Sequence, residues 1–323
     1  MFQQEVKIER NRSNVETESD KPDLTPHAAL LAVQAFFGSL PVIGKVVLAV
    51  LPAVALVGFR VGITALILFA VQFYRQRIWL QERSDYVRLA VLSLFGVTFN
   101  QLLFIGGLSL TKASNTSLLA VTIPIFTIVI GAAIGSERLR WTKALGVVLA
   151  AAGVIILIDP RNASFSFETT LGDFLIILNS FSYGIYVATS KEVITRNGAF
   201  RSMMWVFIFA AAVCVPLGAW SISSVNIAEI RPMIWWLVLY IAVVATAGPY
   251  LLNAFAISKV DPSVVAVYIY LQPLIGFLLA VLFLSEMIDL KFIVAAVLVF
   301  GGVFFATRPA RGPRNNSLES RNG

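Results

Sequence analysis

Ten stretches of predominantly apolar residues, separated by short polar gaps, dominate this 323-residue sequence. They fall at roughly 28–49, 52–73, 87–108, 114–134, 142–158, 171–190, 203–222, 233–254, 263–284 and 291–307. At about 1.5 Å of rise per residue, a helix of some 20 residues spans the ~30 Å of a bilayer's hydrocarbon core. Hydrocarbon offers no water to pair backbone amides and carbonyls, so such segments must be helical. The residues are 58% hydrophobic and only 13% charged, with a mean hydropathy of +0.82, too apolar for a chain that faces water. The expected fold is an all-α membrane protein with ten transmembrane helices.

The charges lie mostly between these segments, and their distribution sets an orientation. Nineteen of the 25 lysines and arginines fall on the side that carries both termini. Five fall on the other side, namely Lys45, Lys112, Arg161, Arg231 and Lys291, and Arg60 lies within the second segment. Cytoplasmic loops carry the excess of positive charge, so both termini are expected in the cytoplasm and the protein in the plasma (inner) membrane. The formal charge of +7 is read as loop cations facing an anionic leaflet, with no nucleic-acid partner. Residues 1–27 form a mixed-charge cytoplasmic tail and 308–323 a second one, both too polar to pack.

Several chemistries are excluded by composition. One cysteine, Cys214, permits no internal disulfide and no cysteine metal cage, and a single histidine, His27, permits no histidine relay. The run from Gly38 to Val46 resembles a phosphate-binding loop, but five residues separate its glycines and Val46 replaces the magnesium-binding hydroxyl. No cofactor, metal or catalytic residue is expected. An intramembrane enzyme would need paired acids or a nucleophile–base pair within the segments, and the acids lie in tails, loops and helix ends, with Asp173 nearest a core.

The two halves repeat. Pro124 is followed by Glu137 as Pro273 is by Glu286, both pairs offset by 149 residues; Ser136 and Ser285, and Gly153 and Gly302, match at the same offset. Near the start of each half, Gly38 matches Gly184 and Lys45 matches Lys191 at an offset of 146. Each half holds five segments, so the repeats enter the membrane in opposite senses, a design in which substrate binds at mid-membrane between the halves. The pattern ASNTSLLAVTIPIFTIVIGAAIGSERL…GVVLAAAGVIIL, echoed in the second half, resembles the EamA repeat of the drug/metabolite transporter superfamily. The resemblance covers 28–158 as a first repeat and 171–307 as a second. It implies two inverted five-helix repeats, export of small metabolites and a central cavity.

Polar side chains within lipid are costly, so they should face an interior cavity. Gln34 with Lys45, Asn100 with Gln101, Asn179 with Tyr183, Tyr250 with Asn253, and Tyr268 with Gln272 form inward stripes on five segments at helical spacing. They are the expected substrate contacts, or else hydrogen-bonded glue between helices. Pro124 and Pro273 lie within segments, as hinges or as plain kinks. Glu137 and Glu286 either cap the helix that follows or act as gates. Arg60 either snorkels to the surface or attracts an anionic group, with Lys45 toward the same side. Gly146, Ala150 and Gly153 make a small-residue stripe, so the fifth and tenth segments are expected to be scaffold or a homodimer contact.

These features point to a secondary transporter of a small organic metabolite, amino-acid-like or aromatic, working by alternating access. A nucleotide-sugar or sugar-phosphate antiporter of the same fold, or a transport-inactive sensor, would share most of them. For the orientation, cysteine introduced at Glu229 should react with an impermeant thiol reagent from outside, and cysteine at Gln81 should not. Labelling in the reverse pattern contradicts cytoplasmic termini.

Overall fold

The computed structural model describes residues 23–111, 115–116, 119–137, 140–158, 170–223, 225–275 and 290–307. Glu286, residues 276–284 of the ninth segment and most of both tails lie outside them. Among the described residues the chain forms ten principal helices and no strand. They are α1 (Thr25–Leu48), α2 (Ala53–Tyr74), α3 (Arg83–Leu110), α4 (Thr122–Ala133), α5 (Trp141–Ile158), α6 (Thr170–Asn197), α7 (Ala199–Ile222), α8 (Pro232–Ile257), α9 (Pro262–Ile275) and α10 (Leu290–Thr307). Six of them, α1, α2, α3, α6, α7 and α8, are long and apolar enough to cross a membrane, and the rest are shorter apolar helices. This is a multi-pass membrane protein.

Consecutive helices alternate in direction, so α1 begins and α10 ends on one face, called here the terminal face. Apolar side chains on the outside of the bundle, among them Leu66, Val129, Val148, Val297 and Phe300, are exposed where lipid would lie. Exposed Tyr74, Trp79 and Trp141 ring the terminal face, and Trp220 and Trp236 ring the opposite one, at the depth favoured by aromatic belts.

Packing follows the repeat. The two most extensive helix contacts are α2 with α7 and α5 with α10, each pairing a helix with its own counterpart. The next ones interchange under the same exchange of halves: α3 packs on α6 as α8 packs on α1. The halves therefore interlock across a pseudo-two-fold axis rather than standing as separate bundles.

Small residues permit the closest approaches. A methyl group at Gly302 would lie 2.5 Å from the Gly146 carbonyl oxygen, and one at Gly153 would lie 2.8 Å from that of Ala295. Since 146 matches 295 and 153 matches 302, these are one contact made twice. The stripe on α5 is thus filled by α10 of the same chain. The outward apolar faces of both helices, not this stripe, remain for lipid or a second copy. In lipid, helix association depends on such van der Waals contact more than on a hydrophobic force. Gly302→Val should lower unfolding stability in detergent by about 2 kcal/mol, the scale of overpacking. Gly301→Val should be nearly neutral, because nothing lies within 4 Å of a methyl group there. Equal effects at the two positions would contradict the packing account.

Candidate functional site

Four interruptions of helical geometry surround the middle of the bundle, and they too come in pairs. α3 contains a π-turn at Leu94–Thr98 and α8 one at Val243–Ala247, at matching positions of the two halves. A π-turn widens the helix by one residue and commonly marks a functional site. The one in α3 accommodates Tyr186, whose ring would clash with a methyl group at Gly96. In the other, Thr246 Oγ donates to the Ile241 carbonyl at 2.7 Å.

The second pair involves the prolines. Helical geometry lapses into a turn at Ala120–Val121 before α4, and α9 tightens to a 3-10 turn at Tyr268–Tyr270. Pro124 and Pro273 come shortly after these breaks. Pro124 stands in the first turn of α4, where its missing N–H is not needed, rather than mid-helix as the sequence implies. The Ala120 carbonyl, which an uninterrupted helix would pair with residue 124, accepts from Ile123 N–H instead at 3.1 Å. The two breaks touch: the Tyr270 hydroxyl donates to the Val121 carbonyl at 2.9 Å, across counterpart positions.

Between these elements lies a cavity of about 90 Å³, enough for several waters at some 10–15 Å³ each on this measure. Its polar wall comprises Gln34, Arg60, Asn100, Gln101, Thr116, Asn179, Tyr183, Tyr250, Asn253 and Gln272; Phe37, Phe104, Ile123, Val265 and Ile269 supply apolar surface. The polar groups are bonded in chains across helices. Asn100 donates to Asn179 Oδ1 at 2.6 Å, and Gln101 donates to the Tyr250 hydroxyl at 2.7 Å. Gln101 and Tyr250 are counterparts in the two halves, so this bond crosses the axis. The Tyr250 hydroxyl lies 3.0 Å from the Gly96 carbonyl and 2.9 Å from Asn100 Oδ1 and has one proton to donate. Asn253 donates to the Tyr183 hydroxyl at 2.7 Å, and Gln272 to Gln34 Oε1 at 2.8 Å.

Arg60 is the cationic member of this wall. It is 1% exposed, so it does not snorkel. Its Nε and Nη2 donate to Thr246 Oγ at 3.0 and 2.8 Å, and Nη2 lies 3.4 Å from the Ala245 carbonyl. Both acceptors belong to the π-turn of α8. Nη1 has no partner among the described residues.

Polar clusters close both ends of the bundle. On the terminal face Lys143 of α5 bonds Glu137 and, at 2.7 Å, Asp261; Lys191 lies 3.5 Å from Asp261. Glu137 receives the Ser263 N–H at 3.1 Å and the Ser263 hydroxyl. It therefore serves the N-terminus of α9, in the other repeat, not that of the following helix α5. The reason is position: α9 begins on the face where α4 ends, and its first amides lack intrahelical partners. Partial burial favours a neutral Asp261, but the bond from Lys143 and the charges of Lys143 and Lys191 outweigh it and lower its pKa. The stabilisation from Asp261 is thus complete above the ordinary carboxylate range and is lost only as pH falls through that lowered value. Beside it Arg196 and Asn197 of α6 bind the buried Asp85 of α3, which carries α6 seven residues beyond its apolar stretch. On the opposite face Lys45 donates to the Thr111 carbonyl at 2.7 Å, and buried Asp173 accepts from Thr111 and Asn115.

Of the nine residues expected to contact substrate, eight line the cavity together with Arg60. Tyr268 stands outside, its hydroxyl 2.8 Å from His27 Nδ1. The 3-10 turn at Tyr268–Tyr270 advances about 120° per residue instead of 100°, so Tyr268 no longer shares a face with Gln272. Lys45 is turned to Thr111 and does not reach the cavity. Phe104 and Thr116 were not singled out from sequence; Phe104 follows Asn100 by one turn, a signal that was present, whereas Thr116 lies in a segment that reads as a helix start.

The profile of the EamA-like transporter family matches residues 25–159 and again 170–308. An uncharacterized transporter of Archaeoglobus fulgidus is 25% identical over 250 residues, 77% of this chain and 86% of that one. An S-adenosylmethionine uptake transporter of Rickettsia felis is 22% identical over 163 residues, 50% of this chain and 53% of that one. A solved crystal structure of a protein shares the fold with a TM-score of 0.70 at 18% identity, covering 87% of this chain and 96% of its own.

Proposed function

Because the chain belongs to the EamA-like transporter family, we propose that it carries small organic metabolites, amino-acid-like or aromatic, out of the cell across the plasma membrane by alternating access. The observation that carries this reading is the central cavity, lined from both repeats by amides and phenols and bounded by paired helix breaks. Discontinuous helices at mid-bundle are where inverted-repeat transporters place substrate. The cavity wall carries one cation among the described residues, which disfavours the nucleotide-sugar or sugar-phosphate alternative.

The end clusters supply the gates. Lys45 and Lys191 are counterparts, and each reaches the segment that precedes the fourth helix of its own repeat, at Thr111 on one face and Asp261 on the other. In the proposed cycle one latch opens while the other holds. Pro124 and Pro273, next to touching breaks, act as the hinges about which α4 and α9 swing.

In proteoliposomes loaded with a pooled metabolite set, the wild-type protein should release a subset of aromatic or amino-acid-like compounds. Because the Rickettsia relatives are named for uptake, flux is to be read in both directions. Gln101→Leu should cut flux about tenfold or more, equivalent to some 1.4 kcal/mol, with the protein still folded. Pro124→Ala and Pro273→Ala should slow flux and leave the cavity open to opposite faces. Unaltered flux in all three variants would overturn the reading.

A further inference from the structure

We propose that the transported substrate is a monocarboxylate without a compensating ammonium group, and that its carboxylate pairs with Nη1 of Arg60. The inference rests on the reading of the central cavity as the transport site and names what that site takes. A guanidinium keeps its charge under all physiological conditions. Here it is fully buried in the bundle and lines the cavity, yet all three of its contacts are to neutral oxygens, Thr246 Oγ twice and the Ala245 carbonyl. No carboxylate lines the cavity among the described residues, and Arg60 makes no ion pair there. A buried charge without a counter-ion is costly, and one is retained where a ligand or pathway needs it.

The geometry fixes which part is reserved. Thr246 and Ala245, both within the π-turn of α8, occupy Nε and Nη2. Nη1 is left unbonded, a buried donor without a partner among the described residues and with almost no exposed surface, so a carboxylate reaches it only as the surrounding wall shifts. A carboxylate oxygen there would satisfy the donor and cancel the charge at once.

Other ligand classes fit less well. A phosphate dianion would need a second cation, and Lys45 is engaged with Thr111 outside the cavity. An ammonium or sulfonium would need an anion, and no carboxylate lines the cavity among the described residues. The rest of the wall, with Phe37, Phe104 and Tyr183, suits an apolar or aromatic body.

Three probes of one shape separate the charge classes: 3-phenylpropionate (anion), phenylalanine (zwitterion) and phenethylamine (cation). Binding to the purified full chain is read by thermal shift and calorimetry, and exchange flux is read in proteoliposomes. The wild type should bind 3-phenylpropionate at least tenfold more tightly than phenylalanine, and phenethylamine least. Arg60→Gln should lose that preference, and Arg60→Lys should recover part of it. The wild-type ranking stands on its own if either variant fails to fold. Equal or tighter binding of phenylalanine or phenethylamine overturns the inference, as does failure of all three probes to bind. A thiol reagent on Asn253→Cys, in a Cys214→Ala background, separates the two levels. Where the probe ranking fails, blocked flux of a metabolite from the pooled set would show that the cavity reading stands while the anion inference falls. Unblocked flux after the thiol has reacted would show that both fall.

Discussion

Within a bilayer no water is at hand to pair a polar group, so each amide, phenol and guanidinium on these helices must find a partner inside the bundle. That constraint organises the centre of this protein. Asn100, Gln101, Asn179, Tyr183, Tyr250 and Asn253 come from three helices of both repeats and are bonded in chains that run from α6 through α3 to α8. An apolar core of the same volume would pack without leaving a space. The polar chains hold the helices apart around a cavity whose wall can exchange internal bonds for bonds to a ligand. Arg60 is the limiting case, because its hydrogen-bonding capacity is not exhausted by the fold.

The second constraint is the duplication. Counterpart helices pack on each other, counterpart helices carry the π-turns, and counterpart breaks precede Pro124 and Pro273. Two bonds, Gln101 to Tyr250 and Tyr270 to Val121, join residues that differ by 149 in number and so lie close to the axis itself. In the proposed cycle the alternative state is the one in which the halves exchange conformations. The two end clusters differ in composition: lysines pair with carboxylates on the terminal face, whereas on the opposite face Lys45 meets the Thr111 carbonyl and Asp173 is held by neutral donors. In that cycle the asymmetry would give the two states different stabilities.

Much of this was legible in the sequence, because membrane physics acts on single residues. Length and hydropathy gave the segments, and the inward stripes brought eight of nine expected residues to one cavity. What escaped were features set by pairs of residues distant in sequence. The π-turn in α3 accommodates the ring of Tyr186, and the one in α8 faces Arg60, so neither can be read from LFGVT or VVATA alone. The partner of Glu137 is Ser263, 126 residues away and in the other repeat. Tyr268 leaves the cavity because a 3-10 turn alters its angle, a local change that helical periodicity does not foresee.

The central claim is that one cavity serves both faces in alternation, and access to a single residue in its wall tests that most directly. Ile269 lines the cavity beside the break in α9. With Ile269→Cys as the sole cysteine, reaction with an impermeant thiol reagent can be followed from each side of oriented vesicles, with and without substrate. Alternating access predicts labelling from one side at a time, with substrate shifting the balance between sides. Labelling from both sides at rates that substrate leaves unchanged would mean a channel, and protection from both under all conditions would mean a sealed core; either result would contradict the account.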